Sequence, residues 1–397
     1  MKAVVVNSLA KDKSTGKISY GLYSFLKNKG HEAFMAYGQG PVYKEEGLLY
    51  IGSRIGSKLH NLLSKITGFP GCFSIFSTKK FLKKLDQIRP NVIYLFNIHG
   101  YYLNEYMLLN YLKKKHIRTI YTMLDEYPFM GRCGFSMGCD HYITGCHNCP
   151  HLKNYPGSWL FDTSHILAKK KKKVYDGFTE LTFVAIQYTL NLASKSFLLS
   201  GKDLFMADEA IDVKKYYPRE TKRLKERLCI PKENKVIVCI AVYPDDRKGA
   251  QYFLEAARSM KDEKNISFVH VGFGGNVEEC PSNYIPITYV ANQEELCEYY
   301  SLGDLLCFPS LSETIPSTCL EALSCGTPLL VFNISGMPYI ADDTCSYIVE
   351  PKDVCAMVNV IKNIPYKSQS MIDACRGYAV KRYDNQSYYS KLLSLAR

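Results

Sequence analysis

The chain has 397 residues, of which 47% are hydrophobic and 22% charged, and its formal net charge at pH 7 is +12. This length suffices for two domains with separate cores, and no run of 18 apolar residues occurs, so we expect no transmembrane helix. Fifteen scattered cysteines are not typical of a secreted disulfide scaffold in a chain of this size, which favours a reducing cytoplasm.

Buried parallel strands are predicted along the whole chain. The opening MKAVVVNS is expected to be the first of them rather than a signal peptide. The later strands share a short, continuous apolar run: EAFMAYG, NVIYLFNI, RTIYTML, LTFVAI, VIVCIAV, ISFVHVG, DLLCFPS and PLLVFN. Helical patterns lie between several of them, including ISYGLYSFLKNKG, AQYFLEAARSM and QEELCEYYSL. This alternation predicts an α/β protein with doubly wound sheets.

A polar, charged stretch, YYPRETKRLKERLCIPKENK, separates two series of these units. We therefore expect an N-terminal domain over residues 1–213 and a C-terminal domain over residues 214–378. The first 213 residues carry 28 Lys or Arg and 16 Asp or Glu, whereas residues 214–397 carry 22 of each. The whole positive excess thus lies in the N-terminal half. Any single lysine run is best explained as a solvated helix face, but the half as a whole also suits an anionic membrane surface. Nucleic acid is not expected as a partner, since no known binding signature occurs.

Candidate binding residues follow three predicted strands of the second domain. Arg247 and Lys248 come after VIVCIAV, Gly272 comes at the end of ISFVHVG, and Glu313 and Glu321 come after DLLCFPS. Because ligands of doubly wound domains bind at the carboxyl ends of strands, these positions predict a site in the cleft between the two domains.

The stretch SETIPSTCLEALSCGTP suits a nucleotide sugar. Its loop precedes a helix start, where backbone N–H groups favour a diphosphate, and Thr314 and Ser317 add hydroxyl donors. Lys248 would bring positive charge to the same phosphates. Glu321, on the first helical turn, could accept both ribose hydroxyls, and Glu313 could hold hydroxyls of the attached sugar.

The segment FPSLSETIPSTCLEALSCGTPLLVFNISGMP closely resembles the donor-site motif of family-4 retaining glycosyltransferases, which have the GT-B fold. STGKISYGLYSFLKNKGHEAFMAYG, RKGAQYFLEAA and ITYVANQEELCEYYSLGDLLCFPS resemble further parts of that family. FNIHGYYLNEYMLLNYLKKK and GCDHYITGCHNCPHLKNYPGS resemble a branch that acts in bacterial surface-polysaccharide synthesis. The resemblance implies two Rossmann-like domains facing across a cleft, with a C-terminal helix over residues 379–397 returning to the first domain.

The resemblance also implies roles for single residues. Gly16 matches the glycine that lets the N-terminal loop approach the donor phosphates, and Lys248 matches the diphosphate lysine. Glu313 and Glu321 match the sugar and ribose carboxylates. Glu313 and Lys248 are therefore the candidate catalytic residues, supported at the donor by Arg247, Gly272, Thr314 and Ser317.

Two positions depart from the family pattern. Val242 stands where the family usually has an arginine, a loss for which Arg247 could compensate, and Leu124 stands where a histidine is common. Asp125 follows Leu124 and is a candidate on the acceptor side. His99, after the strand NVIYLFNI, is either a second acceptor-side residue or a turn-stabilising residue.

A cysteine-rich loop spans residues 126–151 of the N-terminal domain. Cys133, Cys139, Cys146 and Cys149 lie within 17 residues, and the last two have the Cys-x2-Cys spacing of a zinc knuckle. A structural zinc is one interpretation. Small buried thiols in a long loop are the alternative, because the second knuckle is missing.

The resemblance thus implies a retaining, hexosyltransferase-type enzyme that uses a nucleotide-diphosphate sugar. The branch implies a glycan or polyprenyl-pyrophosphate-linked acceptor and a role in capsule or exopolysaccharide synthesis. We expect no cofactor to be required, and a cytoplasmic enzyme peripheral to the inner face of the cell membrane. A catalytically silent GT-B scaffold remains the alternative, and a sugar-nucleotide epimerase on the same fold is a third.

Overall fold

The computed structural model describes residues 1–208 and 210–396. Contacts divide the chain into two compact units, one formed by Met1–Glu209 with Gln386–Arg397 and the other by Ala210–Asn385. These division points lie a few residues from the predicted boundaries at 213/214 and 378/379. Residues 216–235, which the sequence favours as the junction, lie inside the second unit and contain a short helix.

The first unit is built on a seven-stranded parallel sheet with the strand order β3-β2-β1-β4-β5-β6-β7. Its strands are β1 (Lys2–Asn7), β2 (Glu32–Tyr37), β3 (Leu48–Tyr50), β4 (Val92–Leu95), β5 (Arg118–Thr122), β6 (Leu181–Ala185) and β7 (Leu204–Met206). The central strands are fully buried, as expected of a parallel sheet covered on both faces.

Seven helices accompany this sheet, and the last comes from the end of the chain. They are α1 (Lys13–Asn28), α2 (Arg54–Thr67), α3 (Ile75–Ile88), α4 (Glu105–Lys114), α5 (Ser164–Tyr175), α6 (Gln187–Ala193) and α14 (Asn385–Ser394). Two 3₁₀ turns, Tyr127–Phe129 and His141–Ile143, lie in the long segment between β5 and α5. On α14, Tyr389 packs against Phe25 and donates a hydrogen bond to the Ile18 carbonyl.

The second unit has a six-stranded parallel sheet with the order β10-β9-β8-β11-β12-β13. Its strands are β8 (Lys235–Tyr243), β9 (Ile266–Phe273), β10 (Tyr284–Ile287), β11 (Leu305–Phe308), β12 (Leu329–Phe332) and β13 (Ser346–Val349). Its helices are α7 (Lys222–Arg227), α8 (Ala250–Ser259), α9 (Gln293–Leu302), α10 (Ser317–Ser324), α11 (Met337–Ile340), α12 (Val354–Asn363) and α13 (Gln369–Tyr383), with a 3₁₀ turn at Val277–Glu279.

Both sheets reverse their order next to their first strand, which is the arrangement of a Rossmann-like fold. In the second unit the reversal lies between β8 and β11, which are hydrogen-bonded neighbours. The segments that leave these two strands therefore begin at the same edge of the sheet, at the point where doubly wound sheets bind their ligands. The predicted α/β architecture is confirmed, and no helix of the described residues is long and apolar enough to cross a membrane.

Candidate functional site

Two cations meet one carboxylate at the switch point of the second sheet. Arg247 Nη1 lies 2.7 Å and Lys248 Nζ lies 2.6 Å from the same Oε1 of Glu313. The cations follow β8 and the carboxylate follows β11, so residues 65 positions apart in sequence meet. Arg247 also donates from Nη1 to the carbonyl of Ser312 at 2.8 Å. The structure thus brings together three of the residues that the sequence singled out.

The backbone around these side chains is fixed by further hydrogen bonds. Asp245 Oδ1 accepts from the N–H groups of Arg247 and Lys248, at 3.0 and 3.2 Å. The carbonyl of Arg247 accepts from Leu311 N at 2.8 Å and from Ser310 Oγ at 2.9 Å. Because the two loops are tied to each other directly, the cations and the carboxylate are held on one rigid frame.

The cations of this cluster are placed to bind an anion. Arg247 and Lys248 both contact one carboxylate oxygen of Glu313 beside the end of the sheet. The side chains of Arg247 and Lys248 keep 30% and 25% of their surface exposed, whereas Glu313 keeps 11%. The cations therefore remain accessible to a ligand, and an incoming diphosphate could form charge-assisted hydrogen bonds with them.

Two glycines allow the backbone segments around Glu313 to approach each other closely. Gly249 precedes α8 with a φ of +66°, and a Cβ there would stand 1.8 Å from the Pro309 carbonyl oxygen. Gly336 approaches the opposite side of the Glu313 loop, where a Cβ would stand 1.6 Å from the Thr314 carbonyl oxygen. Its N–H donates to the Glu313 carbonyl at 2.9 Å. Only glycine fits at either position without a backbone shift.

Glu321 lies on α10 and is oriented by an aromatic hydroxyl. Tyr300, on α9, donates to Glu321 Oε2 at 2.6 Å, and both residues are buried. Burial and the neighbouring Glu321 carboxylate raise the pKa of Tyr300 well above its ordinary value, and the pKa of Tyr216 is raised for the same two reasons. Both phenols therefore stay protonated and available as donors to the carboxylate.

The other predicted donor-site residues of this unit are Thr314, Ser317 and Gly272. Thr314 is buried in the Glu313 loop, and Ser317 is the first residue of α10, whose N-cap residue Pro316 makes no side-chain capping hydrogen bond. Gly272 lies in β9 with a φ of +102°, and a Cβ there would stand 2.4 Å from the Ala241 carbonyl oxygen. Its glycine is thus explained by the close approach of β8 and β9.

The sequence reasoning missed several residues of this site, including Asp245, Ser310, Tyr300 and Gly336. Ser310 and Tyr300 carried no signal, since single hydroxyls in an apolar context are common. Gly336 did carry one, because SGMP follows the predicted strand PLLVFN and a Gly–x–Pro after a strand indicates a tight turn.

In the first unit, His99 and Asp125 form a pair. His99 Nε2 lies 3.1 Å from Asp125 Oδ2, and the imidazole stacks on the ring of Tyr127 at a centroid distance of 4.1 Å. Asp125 Oδ1 accepts from Tyr127 N at 3.1 Å. Gly16 lies in α1, buried, with its carbonyl accepting from Ser19 Oγ. The two acceptor-side candidates, predicted separately, are thus in contact.

The two departures from the family pattern, Val242 and Leu124, lie at or just beyond the ends of strands. Val242 is near the end of β8 and is 61% exposed. Leu124 follows β5 and is half-buried beside Asp125. From the sequence, Arg247 could compensate for the arginine that is missing at Val242. Its guanidinium contacts Glu313, and the compensation itself stays a prediction.

The cysteine-rich loop contains one thiol pair. Cys133 and Cys149 are in hydrogen-bond contact, and Cys146 Sγ accepts from Gly131 N at 3.2 Å. This contact with Cys133 lowers the pKa of Cys149 to about 6, while burial raises the pKa of Cys146 to about 11. Within residues 1–208 and 210–396, no three His, Cys, Asp or Glu side chains are grouped to hold a metal ion. The zinc interpretation therefore stays a prediction.

Comparison with known proteins now gives the second unit a family. A family model described as "Glycosyl transferases group 1" matches residues 234–364, which include Arg247, Lys248, Glu313 and Glu321. The chain carries a glycosyl transferases group 1 domain. The resemblance found in its donor-site motif is thereby confirmed.

Curated relatives of this chain include proteins named for bacterial polysaccharide synthesis. A protein of Escherichia coli K12 named for colanic acid biosynthesis, the glycosyl transferase WcaC, is 23% identical over 69% of this chain and 67% of its own length. The Escherichia coli UDP-Gal:alpha-D-GlcNAc-diphosphoundecaprenol alpha-1,3-galactosyltransferase is 25% identical over 39% of this chain. The chain spans 43% of that second relative, less than half of its length.

Solved structures show the fold of the whole chain. Sucrose-phosphate synthase from Thermosynechococcus elongatus superposes with a TM-score of 0.69 at 13% identity, over 99% of this chain and 98% of that one. Anabaena Alr3699/HepE, in complex with UDP and glucose, superposes with a TM-score of 0.65 at 12% identity, over 99% and 98%. The fold is GT-B, as predicted.

Proposed function

We propose that this protein is a retaining glycosyltransferase that moves a sugar from a nucleoside diphosphate to a glycan or lipid-linked acceptor in cell-surface polysaccharide synthesis. The observation that carries this proposal is the convergence of Arg247 and Lys248 on Glu313 at the switch point of the second sheet. The group 1 family match covers the same residues and supports the donor class.

In this proposal each part of the donor is bound by different residues. Lys248 and Arg247 neutralise the diphosphate, helped by the N-terminus of α10. Glu321, oriented by Tyr300, accepts the ribose hydroxyls. Glu313 holds hydroxyls of the transferred sugar and positions its anomeric carbon. The main catalytic effect is then stabilisation of the negative charge that develops on the leaving diphosphate.

Retention does not require a protein base on this fold. As the bond between the anomeric carbon and the diphosphate oxygen breaks, the acceptor oxygen bonds to the same face. Its proton passes to the departing phosphate oxygen, so the products are the glycosylated acceptor and a nucleoside diphosphate. His99 and Asp125, 3.1 Å apart in the first unit, are proposed to bind acceptor hydroxyls rather than to take this proton.

The function is tested by identifying the product. The purified enzyme is incubated with a radiolabelled nucleotide sugar and lipid-linked oligosaccharide extracted from a polysaccharide-producing bacterium. We expect label to enter the lipid fraction, and the ¹H NMR coupling of the product to show the anomeric configuration of the donor. Transfer with the opposite configuration would contradict the retaining assignment.

A catalytically silent scaffold protein is the second candidate, and Leu124 and Val242 are the observations that favour it. Such a protein would bind other glycosyltransferases and form no product with any donor. Donor binding without any transfer or donor hydrolysis, across the common nucleotide sugars and lipid-linked acceptors, would favour it over the enzyme.

We predict that transfer needs no divalent ion. The sequence has no Asp-x-Asp motif, and the partly exposed cations Lys248 and Arg247 can neutralise the diphosphate instead. Activity should be unchanged after treatment with EDTA and after adding magnesium or manganese. Activity that EDTA abolishes and either ion restores would refute this. Elemental analysis for zinc must accompany the assay, because a structural zinc at the cysteine loop could be lost slowly.

We also propose that the enzyme works at the inner face of the cell membrane, where lipid-linked acceptors would be reached. The support is the confinement of the +12 charge to residues 1–213. Anionic lipid attracts basic segments by about 1 kcal/mol for each Lys or Arg close to the surface, and salt screens this attraction within a Debye length.

A further inference from the structure

Helix α2 presents its apolar side chains to solvent. Ile55, Leu59, Leu62 and Ile66 are between 38% and 81% exposed. At 100° per residue, these four positions fall within an arc of about 60° on the helix surface. A surface helix ordinarily turns such a stripe toward the core, so α2 has the reverse orientation.

The buried side of α2 is polar and locked in place. His60 and Ser64, one turn apart, are both almost fully buried. His60 Nδ1 is hydrogen-bonded to Ser74 Oγ at 2.8 Å, and the ring packs edge-on against Phe73 and Tyr101. Burial lowers the pKa of His60 to about 4, so the ring is neutral at physiological pH. This packing fixes the rotation of the helix with its apolar stripe outward.

A second apolar segment joins the C-terminal end of α2. Trp159, Leu160 and Phe161 are three consecutive side chains that are each more than half exposed. Trp159 N donates to the Lys65 carbonyl at 2.8 Å, and the Lys65 ammonium lies 5.8 Å from the indole centroid. Thr163 donates to the carbonyl of Gly68, the C-cap of α2. The stripe of α2 and the segment 159–161 therefore form one surface, called here the α2 surface.

The charges around the α2 surface are mostly positive, and the exposed Asp162, which follows Phe161, is an acidic exception. Residues 47–85 contain seven Lys or Arg and no Asp or Glu. Lys58 lies on α2, beside the stripe, and is exposed. On α3, Phe76 is 87% exposed and is followed by exposed Lys79, Lys80 and Lys83. An apolar face flanked by lysines, with an indole at one end, is the pattern of helices that lie in the interface of an anionic bilayer.

We propose that the α2 surface docks on an anionic lipid bilayer, with the stripe and the segment 159–161 inserted among the headgroups. This inference rests on the proposed function, because docking on the bilayer would bring the first unit to a lipid-linked acceptor. A second copy of the chain fits less well, because a two-fold interface would set basic residues against basic residues. Lipid phosphates supply the missing negative charge.

The chain offers its own probe, because Trp159 is its single tryptophan and lies in the proposed surface. The full-length protein is titrated with vesicles of phosphatidylglycerol and phosphatidylcholine while tryptophan emission is recorded. Emission should move to shorter wavelength with anionic vesicles and be quenched by brominated lipid acyl chains, and the effect should weaken at high salt. Emission that stays unchanged at every lipid concentration would overturn the proposal.

Matched variants separate this surface from the general charge of the protein. Leu59→Ser/Leu62→Ser should weaken vesicle binding at least about tenfold, since two partly inserted leucines are lost. Val277→Ser/Tyr289→Ser, which changes two exposed apolar residues of the second unit, should leave it unchanged. Circular dichroism melts verify that both variants fold. Equal vesicle binding by all three proteins would contradict the assignment to α2.

Two further readings distinguish the possible failures. If light scattering shows a dimer of the wild-type chain that Leu59→Ser/Leu62→Ser dissociates, the surface is a self-association site and the lipid proposal is wrong. Donor binding is followed by thermal shift in the same samples. Vesicle binding without any response to nucleotide sugars would overturn the proposed function and leave the α2 surface assignment in place.

Discussion

Replacing Lys248 by alanine is expected to lower kcat/KM for sugar transfer by about 10²–10³-fold while the protein stays folded. The ammonium lies 2.6 Å from Glu313 and keeps a quarter of its side-chain surface exposed. Its removal takes one of the two cations from the proposed diphosphate site. Because Arg247 still neutralises Glu313 at 2.7 Å, no buried carboxylate is left without a partner. The loss should therefore appear in catalysis and much less in stability.

Lys261→Ala is the matched control for this variant. Lys261 belongs to the same unit, is exposed after α8 and carries the same charge. Initial rates at several donor concentrations, together with a thermal melt, should show wild-type kinetics for Lys261→Ala and a large loss for Lys248→Ala alone. Equal kcat/KM in the two variants would remove Lys248 from the proposed site.

The variant Gly336→Ala is expected to destabilise the second unit by about 3 kcal/mol and to abolish most of the transfer activity. The added Cβ would stand 1.6 Å from the Thr314 carbonyl oxygen and 3.0 Å from that of Glu313. Backbone must move to relieve these contacts, and the loop that carries Glu313 is the part displaced. The expected fall in Tm is roughly 6–12 °C for a unit of this size.

Gly377→Ala provides the control for this prediction. Gly377 lies within α13, and a Cβ there would meet no atom within 4 Å. Alanine in a helix interior is favoured over glycine by about 0.5–1 kcal/mol, so this variant should melt at the same or a higher temperature. A Gly336→Ala protein as stable and active as Gly377→Ala would show that the Glu313 loop tolerates displacement.

Nine strands were predicted from apolar runs, and all nine are present within one or a few residues of their predicted bounds. The four strands that were not predicted are β3, β7, β10 and β13, and each is an edge strand of its sheet. These edge strands are only three or four residues long and partly exposed, and their apolar runs, such as LLYI and LFMA, are too short to be distinguished from loops by pattern alone. Their positions depend on the neighbouring strand, which supplies their hydrogen bonds.

The sequence located the parts of the candidate site but not their contacts. Motif spacing predicted that Lys248, Glu313 and Glu321 follow strand ends, and the family match covers all three. That Arg247 and Lys248 share one oxygen of Glu313 depends on β8 and β11 being neighbours, which local patterns do not specify. The close approach of Gly336 likewise depends on where β12 leads the chain.

The orientation of helix α2 could not be predicted from its sequence. Its apolar positions recur at a spacing that is equally expected of a helix facing the core. Which face is buried is decided by His60, whose partners Ser74, Phe73 and Tyr101 come from other segments. Periodicity gives the angle between the faces of a helix, whereas tertiary contacts decide which face meets solvent.

The most direct test of the donor site is a thermal-shift panel of UDP-, GDP-, ADP- and CMP-sugars on the wild type, Lys248→Ala and Glu321→Ala. A ligand that binds only the folded state raises Tm, and at a given concentration a tighter ligand raises it further. One nucleotide class should stabilise the wild type, and both variants should lose most of that shift while their ligand-free melts remain cooperative. A panel in which no nucleotide sugar stabilises the wild type, or in which both variants respond as the wild type does, would contradict a nucleotide-sugar site built on Lys248 and Glu321.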